Sequence, residues 1–288
     1  MNQTQIKSRN NLILSMCIFG TIGILRRYIP LSSSLVALVR GIIGSVFLMM
    51  VLLISKKSLD KQALRKNLPM LSLSGAAIGF NWILLFEAYN YTSVATATLC
   101  YYLAPILMIL ASPMVLKERL TKKSIFCTVT ALVGMVLVSG ITETGFSGLS
   151  ELKGILLGIG AAVLYAGVIL MNKKISGIPS YDKTILQLAT ASAALLPYVL
   201  LTEDLSAISL SPVAVLLLLV AGIIHTGFAY WLYFGSMNDL PSHTVALLSY
   251  MDPILAILLS VVLLREPMSL SAAIGAVLIL GAAYISEK

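Results

Sequence analysis

Charge is what this chain has least of. Only 11% of its 288 residues are Asp, Glu, Lys or Arg, against 58% hydrophobic, and the mean hydropathy is +0.96. A soluble domain carries roughly 25% charged residues, so an aqueous fold is excluded. Cysteine is scarce too: Cys17, Cys100 and Cys127 all lie in apolar runs, an odd number that makes neither a disulfide framework nor a paired-cysteine metal site. There are two histidines, His225 and His243, 18 residues apart, whereas a histidine–glutamate metal helix needs a pair four residues apart. No glycine-lysine phosphate loop and no glycine-flanked serine elbow occurs. An ATPase, a metalloenzyme and a serine hydrolase are thereby set aside, and no cofactor is expected. The formal charge of +8 does not point to nucleic acid, because a basic excess in so apolar a chain is explained by lysines and arginines retained on the cytoplasmic side of a membrane.

Long apolar runs fill the space that charge leaves. They cover residues 11–29, 33–55, 68–90, 93–116, 122–140, 152–173, 181–201, 212–236, 241–264 and 268–286. At about 1.5 Å per residue, some 20 residues match a hydrocarbon core ~30 Å thick. The expected fold is therefore an all-α polytopic membrane protein with ten transmembrane helices. Lys7 and Arg9 before the first run imitate a signal peptide, but no small-residue cleavage site follows, so that run is read as a retained first helix.

The chain also repeats itself. The stretch from Thr96 to Glu118 returns from Thr244 to Glu266 at a fixed offset of 148, which lays Tyr102 on Tyr250, Pro105 on Pro253 and Glu118 on Glu266. Upstream, Gly79, Phe80, Leu84, Phe86 and Asn90 fall on Gly227, Phe228, Leu232, Phe234 and Asn238. Residues 1–141 and 152–288 are thus read as two five-helix repeats forming one membrane domain, joined through the glycine- and serine-containing stretch Thr142–Ser150.

Positive charge predicts the orientation. With the N-terminus in the cytoplasm, Lys7, Arg9, Lys56, Lys57, Lys61, Arg65, Lys66, Lys117, Arg119, Lys122, Lys123, Lys173, Lys174, Lys183 and Lys288 share that side. The other side receives Arg26, Arg27, Lys153 and Arg265. Both termini are then cytoplasmic, and an odd number of spans per repeat inverts the second copy relative to the first, an arrangement associated with alternating access.

Ionisable residues inside the runs are few. Asp252 lies midway along the ninth run beside Pro253, where an aspartate costs ~2.5–3.5 kcal/mol on insertion scales. It falls on a small, polar stripe of Ser242, Val245, Ser249, Asp252, Ala256 and Ser260, and its counterpart in the first repeat is Ala104. It is a candidate site residue, or it bonds a neighbouring Ser, Tyr or Arg40 to lock helices. Arg40 is the one basic residue deep in a run, and it forms a structural or gating pair, meets a substrate carboxylate or snorkels to the interface. His225 and Asn81 lie near the middles of their runs, as site residues or as interhelical hydrogen bonders. Glu87 lies near a helix end, with a gating role or a simple reach to the headgroups. Trp82, Phe86, Tyr101, Tyr102, Tyr165, Tyr230, Trp231 and Tyr250 gather near one level; with a buried carboxylate they suit an organic cation or amphipathic amine, unless some are ordinary packing.

Ten spans in two repeats, each with a mid-helix proline and a glutamate thirteen residues on (Pro105 to Glu118, Pro253 to Glu266), resemble the EamA family of the drug/metabolite transporter superfamily. Arg40 and the glycines Gly134, Gly275 and Gly281 are similar to that family as well. One departure is Lys117, with Arg265 in the second copy, where the family often has glycine before the glutamate. The resemblance covers essentially the whole chain and implies a bacterial inner-membrane carrier with a central cavity between its halves. The expected function is secondary transport of a small organic metabolite by alternating access, with a proton as candidate coupling ion. Asn81, Tyr101, Tyr102, His225, Ser249, Tyr250 and Asp252 stand around the site, and Pro105 and Pro253 are expected to bend and gate. The alternative is a lipid-handling or scaffold membrane protein without a soluble substrate.

Overall fold

In hydrocarbon every backbone N–H and C=O must bond within its own segment, so apolar runs of this length fold as helices. A computed structural model describes residues 3–92, 94–139, 149–205, 210–264 and 270–287, and its elements there are helical. They are α1 (Gln3–Arg27), α2 (Ser33–Ile54), α3 (Lys61–Tyr91), α4 (Val94–Tyr101), α5 (Ala104–Leu116) and α6 (Lys122–Ser139), followed by α7 (Leu149–Lys174) and α8 (Ser180–Thr202). Next come α9 (Pro212–Val220), a π-helical segment (Ala221–Phe228), α10 (Ala229–Ser236) and a 3-10 turn (Met237–Asp239). The chain ends in α11 (Ser242–Ser249), α12 (Met251–Leu264) and α13 (Leu270–Glu287). Glu266, Arg265 and most of the predicted joint at Thr142–Ser150 lie outside the described residues.

Six of the described helices are long and apolar enough to cross a membrane: Gln3–Leu25, Ser33–Ile54, Lys61–Tyr91, Glu151–Lys174, Ser180–Thr202 and Pro212–Asp239. Ala104–Leu116 and Ala273–Ala282 are shorter apolar helices. Their outward faces are apolar, with Met114 88%, Leu201 86% and Ile54 81% exposed, a surface that water would not tolerate over such an area but that lipid matches.

The fourth and ninth runs differ from the continuous helices predicted. α4 stops at Tyr101 and α5 starts at Ala104; α11 stops at Ser249 and α12 starts at Met251. A proline three or four residues on explains each break, because Pro105 and Pro253 bring no N–H and crowd the carbonyl one turn back. The chain tightens instead, Leu103 N donating to Cys100 O at 3.2 Å and Tyr250 N to Leu247 O at 3.2 Å. A second departure is the π turn in the eighth run. There a methyl on Gly222 would come within 2.4 Å of Ile43 Cβ, and the wide turn's carbonyls are partly met by side chains, Thr226 Oγ1 donating to Ala221 O at 2.9 Å.

Packing comes in exchanged pairs. α3 lies against α7 and α8, while the π segment and α10, the counterparts of α3 by sequence, lie against α1 and α2. α2 meets α8, α6 meets α13, and α5 meets α11. The equivalent glycines Gly79 and Gly227 both sit at close crossings: a Cβ there would stand 2.7 Å from Ala191 O and 3.1 Å from Gly44 O. Without Cβ atoms the backbones approach closely, which is how helices gain dispersion contact in lipid.

Polar contacts tie the helix ends into two opposite faces. One face joins Ser8 to Asp239 at 2.6 Å, Asp60 N to Asp182 at 2.7 Å and Lys183 Nζ to Phe234 O at 2.8 Å. The other joins Ser34 to Glu203 and Tyr198 to Glu87 at 2.6 Å, and sets Lys153 3.8 Å over the Tyr91 ring.

Candidate functional site

Both helix breaks open onto one cavity. Tyr101, Tyr102 and Pro105 reach it from the first break, Ser249 and Asp252 from the second, and it holds about 180 Å³. Arg40 from α2, Trp82, Leu85 and Phe86 from α3, Tyr165 from α7 and Tyr230 from α10 complete the wall, with Met16, Phe19 and Ile22 of α1 on the remaining side. The wall follows the repeat: Trp82 and Tyr230 occupy equivalent positions, as do Tyr101 and Ser249. The equivalent tyrosines of the two breaks touch directly. Their rings lie 6.3 Å apart, and the Tyr250 hydroxyl donates to Tyr102 O at 3.0 Å.

The aromatic lining is a connected set. Tyr101 stacks on Tyr165 at 5.4 Å, Phe19 meets Tyr230 edge-on at 5.1 Å, and Trp82 meets Tyr230 at 6.5 Å. Hydroxyls are chained behind it: Tyr165 donates to Tyr233 at 2.9 Å, Tyr233 and Ser249 lie 3.5 Å apart, and Ser249 donates to Val245 O at 2.8 Å.

Two opposite charges face this cavity without meeting. Among the described residues Asp252 makes no hydrogen bond and no ion pair, and none joins it to Arg40. The Arg40 guanidinium sits 4.9 Å over the Trp82 ring, with its Nε buried and without a hydrogen-bond partner. A protein charge held in low dielectric without a partner is expensive. An incoming solute that supplies the missing charge recovers part of that cost, so the arrangement favours a ligand with complementary ionic groups and an apolar or aromatic body.

The remaining sequence-predicted residues stand elsewhere. Asn81 is buried behind the wall, its Nδ2 donating to Ala161 O at 2.6 Å across α3 and α7. His225 Nε2 bonds Thr21 Oγ1 at 2.8 Å, joining the π segment to α1. Both therefore occupy helix contacts, since each found a partner on the adjacent helix. Tyr250 is buried one layer back. Glu87 accepts from Tyr198 at 2.6 Å near the helix ends, and Pro253 shapes the second break. Phe86, one of the aromatics expected at this level, is on the wall, while the residues with no mark in the sequence analysis are Met16, Phe19, Ile22 and Leu85 on the wall and Tyr233 behind it. The repeat held a signal for one pair, because Tyr233 and Leu85 are equivalent positions; the α1 residues carry no polar or repeated mark.

A second cavity, of about 520 Å³, shares Ile22, Arg40, Leu85 and Phe86 with the central one and continues past Leu25, Ile29, Ser33 and Tyr89 toward the Glu87 face. Toward the Ser8 face, the fully buried Leu12, Met108, Ile169 and Val245 fill the core. The cavity on that side, lined by Gln5, Glu118, Lys173 and His243 among others, shares no lining residue with the central one. Among the described residues the cleft thus continues toward one face and shares no wall with the cavity at the other.

Comparison with known proteins agrees with a carrier. The sequence profile described as the EamA-like transporter family matches residues 11–140 and 152–287. An uncharacterised transporter of Bacillus subtilis (strain 168), YxxF, is 30% identical over 87% of this chain and 80% of its own length. The aromatic amino acid exporter YddG of Ancylobacter novellus is 27% identical over 74% of this chain and 73% of its own length. A solved crystal structure superposes with a TM-score of 0.85 at 22% identity, over 97% of this chain and 96% of the other, a likeness of fold.

Proposed function

The chain belongs to the EamA-like transporter family, and on that premise we propose that it is a secondary active transporter of a small amphipathic organic solute bearing an amine, working by alternating access. The observation that carries the reading is the cavity at the two helix breaks, where Asp252 faces tyrosine walls without a partner. Asp252 is the counter-ion of the solute's cationic group or the acid that couples transport to protons. Tyr101, Tyr102, Tyr165, Tyr230 and Trp82 hold the apolar body by ring contacts, with cation–π attraction added. A named relative that exports aromatic amino acids is consistent with a solute of this kind.

The transport cycle rests on inverted five-helix repeats, 1–141 and 152–288, in ten spans of a bacterial cytoplasmic (inner) membrane with both termini cytoplasmic. Support comes from the 148-residue offset, the exchanged packing pairs and the meeting of Tyr102 with Tyr250, together with the positive-charge bias. On this orientation the cleft extends outward, and the Ser8 face is the cytoplasmic one.

Thermal stability of the detergent-purified protein tests the solute class. Quaternary amines, amino acids, purines and sugar phosphates are each added, and a ligand at a hundred times its Kd adds ~2.7 kcal/mol. Stabilisation by amines or amino acids is expected. Silence from the whole panel would overturn the reading in favour of a lipid-handling or scaffold protein.

The breaks are assigned to gating. Pro105→Ala and Pro253→Ala each restore an N–H where its loss costs about 3 kcal/mol in a helix interior. Continuous helices are expected to slow transport by about tenfold, which takes about 1.4 kcal/mol of that amount. Labelling of introduced cysteines from both faces is the check, and rates equal to wild type would remove the prolines from the gate.

A further inference from the structure

The cytoplasmic closure is concentrated on one carboxylate. Glu118 follows α5 by two residues, and Lys117 between them takes a left-handed conformation, φ 58°. Glycine adopts that conformation without strain, so this turn is held against the preference of lysine. The turn aims Glu118 away from its own helix and into the other repeat. There its Oε2 accepts from Ser242 N, the first residue of α11, at 3.1 Å, and its Oε1 lies 3.4 Å from Lys173 Nζ at the end of α7. Lys173, only 7% exposed, spends its other two donors on Leu240 O and, at 3.4 Å, on Met237 O, the carbonyls of the corner that leads into α11.

We infer that Glu118 and Lys173 are the latch that holds the cytoplasmic side of the central cavity shut, and that they position α11 rather than touch solute. Three observations meet in this assignment. The contacts cross from the first repeat to the second. They grip the helix whose far end, Ser249, lines the cavity one residue before the second break. The cavity is continuous by shared wall residues with the opposite face and with none of the residues of this one. All three ammonium donors are used at low exposure, so a partial withdrawal would leave a buried charge uncompensated. The cluster therefore opens all at once, as a two-state element does. Glu118 at the start of α11 also stands where the helix dipole favours an anion, so its departure releases that end of the helix together with the corner.

The latch rests on the alternating-access reading and is tested separately from it. Cys17, Cys100 and Cys127 are replaced, Ser249→Cys places a thiol on the cavity, and a membrane-impermeant maleimide is applied from either face of oriented membrane vesicles. Glu118→Gln keeps an acceptor for Ser242 N but loses the ion pair; labelling from the cytoplasmic face is expected to rise at least tenfold while labelling from the outer face falls. Lys173→Met should act in the same direction and Lys173→Arg should label like the parent. Arg119→Gln, at an exposed neighbouring position, should also be silent. An unchanged cytoplasmic rate in Glu118→Gln and Lys173→Met overturns the latch, and so does a rise on both faces, which marks a loosened fold. Solute-dependent stabilisation is measured with Glu118 and Lys173 intact, so its absence overturns the transport reading and leaves the labelling result to be judged on its own.

Discussion

Asp252→Asn is expected to reduce the apparent affinity for a cationic solute by about 100-fold, equal to about 2.8 kcal/mol at 1.4 kcal/mol per tenfold. The magnitude follows from where the carboxylate sits. Asp252 opens onto a cavity walled by Tyr101, Tyr102, Tyr165 and Tyr230, and without a protein cation bonded to it the ammonium of the proposed solute would be its partner. Measured coupling energies for close charge pairs at interfaces run from about 1.5 to 7 kcal/mol, so the expected loss lies at the lower end of that range. Asparagine matches aspartate in size, so the substitution removes charge and leaves the packing of α12 against α1 in place. That packing is tight, since a Cβ on Gly20 would come 2.8 Å from Asp252 O. The counter-ion and coupling roles part in the measurement. As counter-ion, Asp252→Asn weakens binding in the thermal-shift titration and transport in proteoliposomes together. As coupling acid, it leaves binding nearly intact and removes the dependence of transport on pH. Unchanged transport with unchanged pH dependence would sink both roles.

Gly79→Leu is expected to destabilise the helix core by about 3 kcal/mol, at the upper end of what overpacking costs. The glycine sits where α3 crosses α8, and a Cβ there would be 2.7 Å from Ala191 O and 3.0 Å from Ala194 Cβ. The first of these is backbone, which cannot rotate away, so the two helices must separate. Separation also pulls on the bonds that join α3, α7 and α8 behind the crossing, where Gln187 Nε2 donates to Ser74 at 2.6 Å and Asn172 Nδ2 reaches the same hydroxyl at 3.4 Å. Gly23→Leu is the matched control, because nothing lies within 4 Å of a Cβ at that position. Melting of the purified variants, followed by the fraction remaining monodisperse after heating, is the check. A Gly79→Leu protein as stable as Gly23→Leu would mean that the α3–α8 crossing does not carry the fold.

Much of this arrangement is legible in the amino-acid sequence. Hydropathy alone dictates helices, because hydrocarbon leaves backbone groups no other partners. The repeated stretch places two prolines at corresponding depths, and a proline's missing N–H forecasts an interruption there. The stripe of Ser242, Val245, Ser249 and Asp252 marks one face of its run as special, and two of its members, Ser249 and Asp252, line the cavity. The sequence also supplies the rare charges, Arg40 and Asp252, on which the chemistry of the cavity turns.

Tertiary structure decided what covers each face. Position along the runs says that His225 and Asn81 lie at membrane depth, but not that Thr21 and Ala161 stand opposite to consume their hydrogen bonds. Nor does it mark Phe19 and Met16 as cavity residues, since an apolar side chain on α1 reads alike against lipid, core or solute. The prolines show the same division: the missing N–H and the interruption it causes are local, whereas the meeting of the two breaks at one cavity is a matter of packing. Glu118 reads in sequence as a charge at a helix end, and only the fold carries it to Lys173 and Ser242 N. Depth and periodicity are properties of one segment and its solvent, while partners are a property of two segments brought together, and the cavity, the two locked polar residues and the tie between the repeats are all matters of partners.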